Sequence, residues 1–245
     1  SNTILQQLDV GSCGLDDQGI SVLANALAIR NASLLELNLY NNAITSVGVH
    51  ALVDDNMEAV KTLNKLCLSS NRIRNEGATI LADALGRNAM PSLKRLNMDW
   101  CHIDDDGFVA LVSALEQNTS LQILKLSGNY YGERGFMALA ESLPNIKGLQ
   151  EITISASGSF QSTTLPLLLE GFQKNTSLVK VNFFGPDAPG MDALQEIKFL
   201  GHRNRFTLLL KASGPLDSSQ QLGIWPRALA KVPTEPNVLF HVLRN

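Results

Sequence analysis

The sequence predicts an α/β solenoid assembled from copies of one strand-plus-helix unit. Two observations predict it. The stretch Leu121-Gln-Ile-Leu124-Lys-Leu126-Ser-Gly-Asn129 reads L-x-x-L-x-L-x-x-N, and copies begin at Leu5, Leu34, Leu63, Leu93, Leu121, Leu149 and Leu178. Their spacings are 29, 29, 30, 28, 28 and 29 residues. A period this steady marks a repeat architecture in which each unit buries its apolar face on its neighbours.

In each copy the fourth and sixth positions are apolar: Leu8 and Val10, Leu37 and Leu39, Leu66 and Leu68, Leu96 and Met98, Leu124 and Leu126, Ile152 and Ile154, Val181 and Phe183. Alternation of period two buries these on one face of a strand and turns the third and fifth positions to the other. The ninth positions are Cys13, Asn42, Asn71, Cys101, Asn129 and Ser157. Short polar side chains there can bond the backbone of a turning loop. Asp16-Asp-Gln-Gly19 and Asp104-Asp-Asp-Gly107 then read as helix entries with Asx N-caps. Apolar pairs at i, i+4 follow: Leu23/Leu27, Leu81/Leu85, Leu111/Leu115, Leu139/Leu143 and Leu168/Phe172.

Two repeats depart from the pattern. Asp54-Asp-Asn-Met-Glu58 replaces the small-apolar run of the second, which predicts a bent or loosely packed helix. Ser155-Ala-Ser-Gly-Ser159 replaces the ladder Asn of the sixth, which predicts an irregular loop. The N-terminus matches the seams at Asn118-Thr-Ser-Leu121 and Asn175-Thr-Ser-Leu178, so the chain reads as opening on the tail of a preceding repeat, with an exposed first strand. Residues 1–189 read as about 6–7 repeats, and residues 190–245 as a C-terminal cap of the same unit. Within the cap, Leu194-Gln-Glu-Ile197-Lys-Phe199 reads as a final strand. Short helices over about 204–211, 225–232 and 236–244 follow it, two of them opened by Pro226 and Pro236.

Net charge is −3, unevenly placed. Residues 1–197 carry 13 Lys/Arg against 21 Asp/Glu, a balance of −8; residues 198–245 carry 7 against 2, a balance of +5. A mildly acidic repeat body argues against nucleic acid, which asks for a basic stripe. No apolar run reaches the roughly 18 residues of a transmembrane helix. The three cysteines do not pair by position, since Cys13 and Cys101 stand three repeats and thus about 15 Å apart. Free thiols point to a reducing compartment.

The motif L-x-x-L-x-L-x-x-N/C-x-L…G-x-x-x-L-x-x-x-L-x-x-N, over about Leu5–Phe183, resembles the ribonuclease-inhibitor-like class of leucine-rich repeats. That resemblance implies a horseshoe with a parallel sheet on the concave face and helices on the convex face. It also implies a cytoplasmic or nuclear protein that binds other proteins.

Under that reading the concave face holds two rows. The third positions are Gln7, Glu36, Lys65, Arg95, Ile123, Glu151 and Lys180; the fifth are Asp9, Asn38, Cys67, Asn97, Lys125, Thr153 and Asn182. Flanking positions add aromatic and Arg side chains of the kind that anchor interfaces. The candidate partner-binding set is Tyr40, Cys67, Arg72, Arg95, Asp99, Trp100, Lys125 and Tyr130. The competing reading has Trp100 and Tyr130 packed over the loops, binding nothing.

Other motifs read as structure. The sequons at Asn31, Asn118 and Asn175 share one phase of the repeat and read as turns. Asp104-Asp-Asp106-Gly lacks the spacing of a calcium loop. Cys101-His102 lacks the second pair of a zinc site. His202-Arg-Asn-Arg205 reads as a cap for the last helix rather than a contact for an acidic partner. No nucleophile, phosphate-loop or cofactor motif is present.

The sequence therefore points to a non-enzymatic scaffold without cofactor. It would be a monomer, or a weak dimer through the exposed N-terminal edge. The alternatives are an enzyme regulator, such as a GTPase activator or a ribonuclease-inhibitor-like protein, and the ligand-sensing end of a larger nucleotide-binding receptor.

Overall fold

The computed structural model describes residues 4–30, 33–53, 61–155, 164–184 and 191–212. Seven strands form one sheet: β1 (Gln7–Asp9), β2 (Glu36–Asn38), β3 (Lys65–Cys67), β4 (Arg95–Asn97), β5 (Ile123–Leu126), β6 (Glu151–Ser155) and β7 (Lys180–Phe184). Their order in the sheet is their order in the chain, and every pairing is parallel. The helices that return the chain are α1 (Asp17–Arg30), α2 (Ser46–Val53), α3 (Arg74–Gly86), α4 (Asp105–Leu115), α5 (Glu133–Ser142), α6 (Thr164–Lys174) and α7 (Met191–Ala212). This is the solenoid that the 28–30-residue period predicts.

The register follows the motif. Leu8, Leu37, Leu66, Leu96, Leu124, Ile152 and Val181 lie side by side across the sheet. From Leu37 to Ile152 this row is buried against the helices. Burial is partial at Leu8 and Val181, in the two outermost of these strands. Losing one fully buried leucine to alanine in such a core costs about 2–5 kcal/mol.

The ninth-position residues form a ladder under the loops. Asn71 Oδ1 accepts the N–H groups of Asn42 and Ile44, and its Nδ2 donates to the carbonyls of Leu39 and Leu68. Asn42 and Asn129 repeat the arrangement. At Cys101 the thiol replaces the amide and donates to the Leu68 carbonyl. Burial is the main reason that this thiol is pushed up to about 12, so it stays protonated. A second ladder runs on the opposite side. Asn118, Asn175 and Asn204 each donate Nδ2 to carbonyls of the preceding repeat's seam, at Leu85, at Leu143 and Ile146, and at Asn175 and Leu178. This accounts for the sequons at Asn118 and Asn175, whose amides are buried and bonded. Asn31 lies outside the described residues.

Helix starts are capped both within and between repeats. Asp16 accepts from the Gly19 N–H and Asp104 from the Asp106 N–H, as the Asx residues predict. The structure adds caps across the repeat. Asp17 Oδ1 accepts from Thr45 and Gly48, and Asp105 Oδ1 accepts from Gly132 and Gly135. Helices approach closely here: a Cβ on Gly135 would stand 2.7 Å from Phe108 Cδ1.

One expectation is corrected. Leu194–Phe199 is not a strand but lies inside α7. The buried residues Ile197, Leu200 and Asn204 recur at three and four residues, a helical period that outweighs the L-x-x-I-x-F pattern. The separate short helix expected from residue 204 is the continuation of the same element, up to Ala212. The cluster His202–Arg205 lies inside α7, and from it Arg203 Nη1 and Nη2 donate to the carbonyls of Gln173 and Asn175 at the C-terminal end of α6. Residues 54–58 and 156–159, residues 185–190 and the remainder of the expected cap from 213 to 245 lie outside the described residues.

Candidate functional site

The third and fifth positions pair strand by strand, from Gln7↔Glu36 to Glu151↔Lys180 and from Asp9↔Asn38 to Thr153↔Asn182. From Gln7 to Glu151 in the third row and from Asp9 to Lys125 in the fifth, they line a groove of about 530 Å³ that runs across β1 to β6. Cys67, Arg95 and Lys125 of the predicted set stand in this groove. Tyr40, Arg72, Asp99, Trp100 and Tyr130 stand on the loops that follow the strands.

The groove's charges are not equivalent. Lys65 Nζ meets Glu36 Oε1 at 2.5 Å, and Lys180 Nζ meets Glu151 Oε1 at 2.8 Å. Asn182 Nδ2 also donates to Glu151. These pairs flank the centre of the sheet, on β2–β3 and on β6–β7. Between them, the exposed side chains of Arg95 and Lys125 form no hydrogen bond and no ion pair among the described residues. Several fifth-position residues are partly committed to structure. Asp9, Asn38 and Asn97 each accept the N–H two residues on, at Gly11, Tyr40 and Asp99. The Gly11 N–H is the main reason that the Asp9 carboxyl lies below its ordinary value. The Cys67 thiol is half-buried, 3.2 Å from Ser69 Oγ.

Asp99 links the groove to the loops. Its carboxylate accepts the Ser127 N–H at 2.6 Å. Burial raises its pKa above the ordinary value, against the lowering pull of the Ser127 N–H and the Lys125 charge.

The eighth position explains Trp100. Among the described residues its occupants are Ser12, Asn41, Ser70, Trp100 and Gly128, and each of these has positive φ, from 52° to 71°. Small turn residues suit that conformation; tryptophan is disfavoured in it. Trp100 is nonetheless 62% exposed, its ring lying over Gly128. The tenth position brings together residues that the motif only spaces apart. His102 and Tyr130 rings stand 5.8 Å apart, and Tyr130 is 61% exposed. Tyr40 packs instead beside Gly11, two repeats from Trp100. The eight predicted residues thus fall into a groove set of Cys67, Arg95 and Lys125, a Trp100–Tyr130 rim, an outlying Tyr40, and two further loop residues, the exposed Arg72 and the half-buried Asp99. His102 and Gly128 belong to the rim and were not in the predicted set. Gly128 was legible as the glycine that follows Trp100 in the eighth-position row.

The remaining candidates have structural occupations. All three carboxylates of the Asp104–Asp106 run are engaged: Asp104 with Asn75, Asp105 with the next helix start, Asp106 with Arg134. Cys101 is buried while His102 is exposed.

The leucine-rich repeat family model matches residues 1–24, 30–53, 61–82 and 89–112. Human NACHT, LRR and PYD domains-containing protein 5 is 34% identical over 137 residues, which is 56% of this chain and 11% of that protein. Pig (Sus scrofa) ribonuclease inhibitor is 32% identical over 143 residues, 58% of this chain and 31% of that one. The chain therefore spans a third or less of the length of these relatives. Among solved structures, the leiomodin-1 actin-binding site 2 superposes with a TM-score of 0.57 at 18% identity, covering 71% of this chain and 95% of that chain. The Caenorhabditis elegans tropomodulin C-terminal domain does so with a TM-score of 0.55 at 16% identity, covering 68% and 99%. At such identities the two structures speak for the fold alone. The ladder, the parallel register and the in-phase motif agree with the matched repeats: the chain is built of leucine-rich repeats and is similar to the ribonuclease-inhibitor-like class.

Proposed function

We propose that the chain is a non-enzymatic scaffold that binds a protein partner on the concave face of its sheet. The observation that carries this reading is the exposed Trp100–Tyr130 rim beside a groove with unpaired cations. Large aromatic side chains left in solvent around a concavity are what interface anchors look like before a partner covers them. Trp100 adds weight, because a disfavoured backbone conformation holds it outward. The contact set is Tyr40, Cys67, Arg72, Arg95, Asp99, Trp100, Lys125 and Tyr130, without cofactor. No described helix is long and apolar enough to cross a membrane, and the cytoplasm is the compartment that suits free thiols. Affinity capture from native lysate tests the proposal. A specific protein retained by the wild type and lost with Trp100→Ala/Tyr130→Ala supports it; one retained equally by both contradicts the rim.

A second reading is favoured by the similarity to NACHT, LRR and PYD domains-containing proteins. The chain would then be the ligand-sensing end of a larger nucleotide-binding receptor. A nucleotide-binding domain encoded upstream in the same gene would support it. Its absence from the full-length coding sequence would remove it. The enzyme-regulator reading draws on the similarity to ribonuclease inhibitor, but the mixed charge of the concave rows does not favour a strongly basic client.

A further inference from the structure

We infer that the centre of the concave face recognises an extended acidic peptide segment, carrying two carboxylates at alternate positions. This rests on the proposal that the concave face is the binding surface. On β3, β4 and β5 the inner rows hold Lys65, Arg95 and Lys125 and no acid. Lys65 is held by Glu36 from β2, which leaves Arg95 and Lys125 as the free charges. Asp99, on the loop after β4, is occupied by the Ser127 N–H and offsets Lys125 only in part. This positive centre stands within residues that carry a balance of −8 over 1–197, so it is a local feature and not a general basic surface.

Geometry narrows the ligand. Arg95 and Asn97 pair with Ile123 and Lys125, so the two cations are one strand apart and two residues offset. That separates their Cα atoms by about 8 Å. Carboxylates at i and i+2 of an extended chain point to one side at about 6.7 Å, close to that spacing. A long polyphosphate fits less well. On either side of Arg95 and Lys125 the charges are closed into the Lys65–Glu36 and Lys180–Glu151 pairs, so no free positive charge continues along the groove for a longer chain of phosphates to follow, while a two-carboxylate segment needs only the centre. An apolar residue beside the carboxylates would reach the Trp100 rim.

The test uses fluorescent peptides of about ten residues. One carries Glu at alternate positions with a single Phe, and its counterparts carry Gln or Lys in place of Glu. A thymidylate oligonucleotide of similar length is the fourth probe. Anisotropy is read on the wild type, on Arg95→Glu/Lys125→Glu, and on Ile123→Trp, which fills the groove; circular dichroism checks that each variant is folded. The inference expects the Glu probe to bind at least about tenfold tighter than the Gln probe. It also expects binding to weaken with salt and to fall at least about tenfold in both variants. Equal binding of the Gln probe, blocked by Ile123→Trp but indifferent to charge reversal, would overturn the inference and leave the concave-face proposal standing. Glu-probe binding that survives Ile123→Trp would overturn it by placing the peptide elsewhere. No binding of the Glu probe, or oligonucleotide binding as tight, would overturn it too.

Discussion

Gly128 lies directly beneath the indole of Trp100. A Cβ added at Gly128 would stand 2.3 Å from Trp100 Cδ2, and Gly128 has φ of +71°. Glycine here does two things: it adopts the left-handed turn of the eighth position, and it leaves the room in which the ring lies. Gly128→Ala is therefore expected to displace the indole and to cost about 1–2 kcal/mol from the left-handed conformation alone. Trp100 and Trp225 are the two tryptophans, so fluorescence in a Trp225→Phe background reports on this ring. A shifted emission maximum with a lowered unfolding midpoint is expected; an unchanged spectrum would contradict the packing described.

The Asn ladder should be unequal along its length. Asn71 is 1% exposed, and its loss leaves the Asn42 and Ile44 N–H groups without their acceptor, while the Leu39 and Leu68 carbonyls keep Asn42 Nδ2 and the Cys101 thiol. Each buried orphan costs on the order of 1–3 kcal/mol. With two N–H groups orphaned, Asn71→Ala should lose at least about 2 kcal/mol in denaturant unfolding. Asn42→Ala, on the less buried flank, should lose less. Equal losses would mean that the ladder is not the main support of these loops.

Asp105 reaches out of its own repeat to cap the next. Replacing it with alanine removes acceptors from the Gly132 and Gly135 N–H groups at the start of α5. A cap of this kind is worth about 1–2 kcal/mol. Asp105→Asn retains an acceptor oxygen and should recover most of the loss. No difference between the two variants would show that charge, not the hydrogen bonds, matters at this position.

Asp99 sets a pH dependence with a definite sign. Burial raises its carboxyl above the unfolded value, so the fold prefers the protonated form. Its stabilising contribution is complete below the unfolded pKa and is lost as pH rises through the folded one. Asp99→Asn keeps an acceptor for the Ser127 N–H without a charge. The variant should gain melting temperature over the wild type at neutral pH, and the gain should shrink toward pH 3. A gain that grows on acidification would reverse the assignment.

Much of this was legible because the repeat reports the same physical demand seven times. Period-two alternation in Leu124 and Leu126 and their counterparts marked the buried face and so the register. The Asn42, Asn71 and Asn129 positions marked the ladder. Where the repeat stops, the pattern stopped informing. Leu194–Phe199 satisfies the strand motif over six residues, and only its continuation through Leu200 and Asn204 reveals a helix. Cross-repeat caps such as Asp105 to Gly135 connect residues 30 apart and leave no local trace. At the candidate site, the rows were legible but the pairing within them was not. Spacing alone does not say that Lys65 is neutralised by Glu36 while Arg95 is free.

Hydroxyl-radical footprinting of the chain with its captured partner tests the concave-face proposal most directly. Trp100 and Tyr130 are exposed and oxidisable on the rim, while Met137 is 40% exposed on α5, across the molecule. The account predicts that the partner protects Trp100 and Tyr130 and leaves Met137 as reactive as in the free chain. Protection of Met137 with Trp100 and Tyr130 unchanged would place the partner on the helices and contradict it.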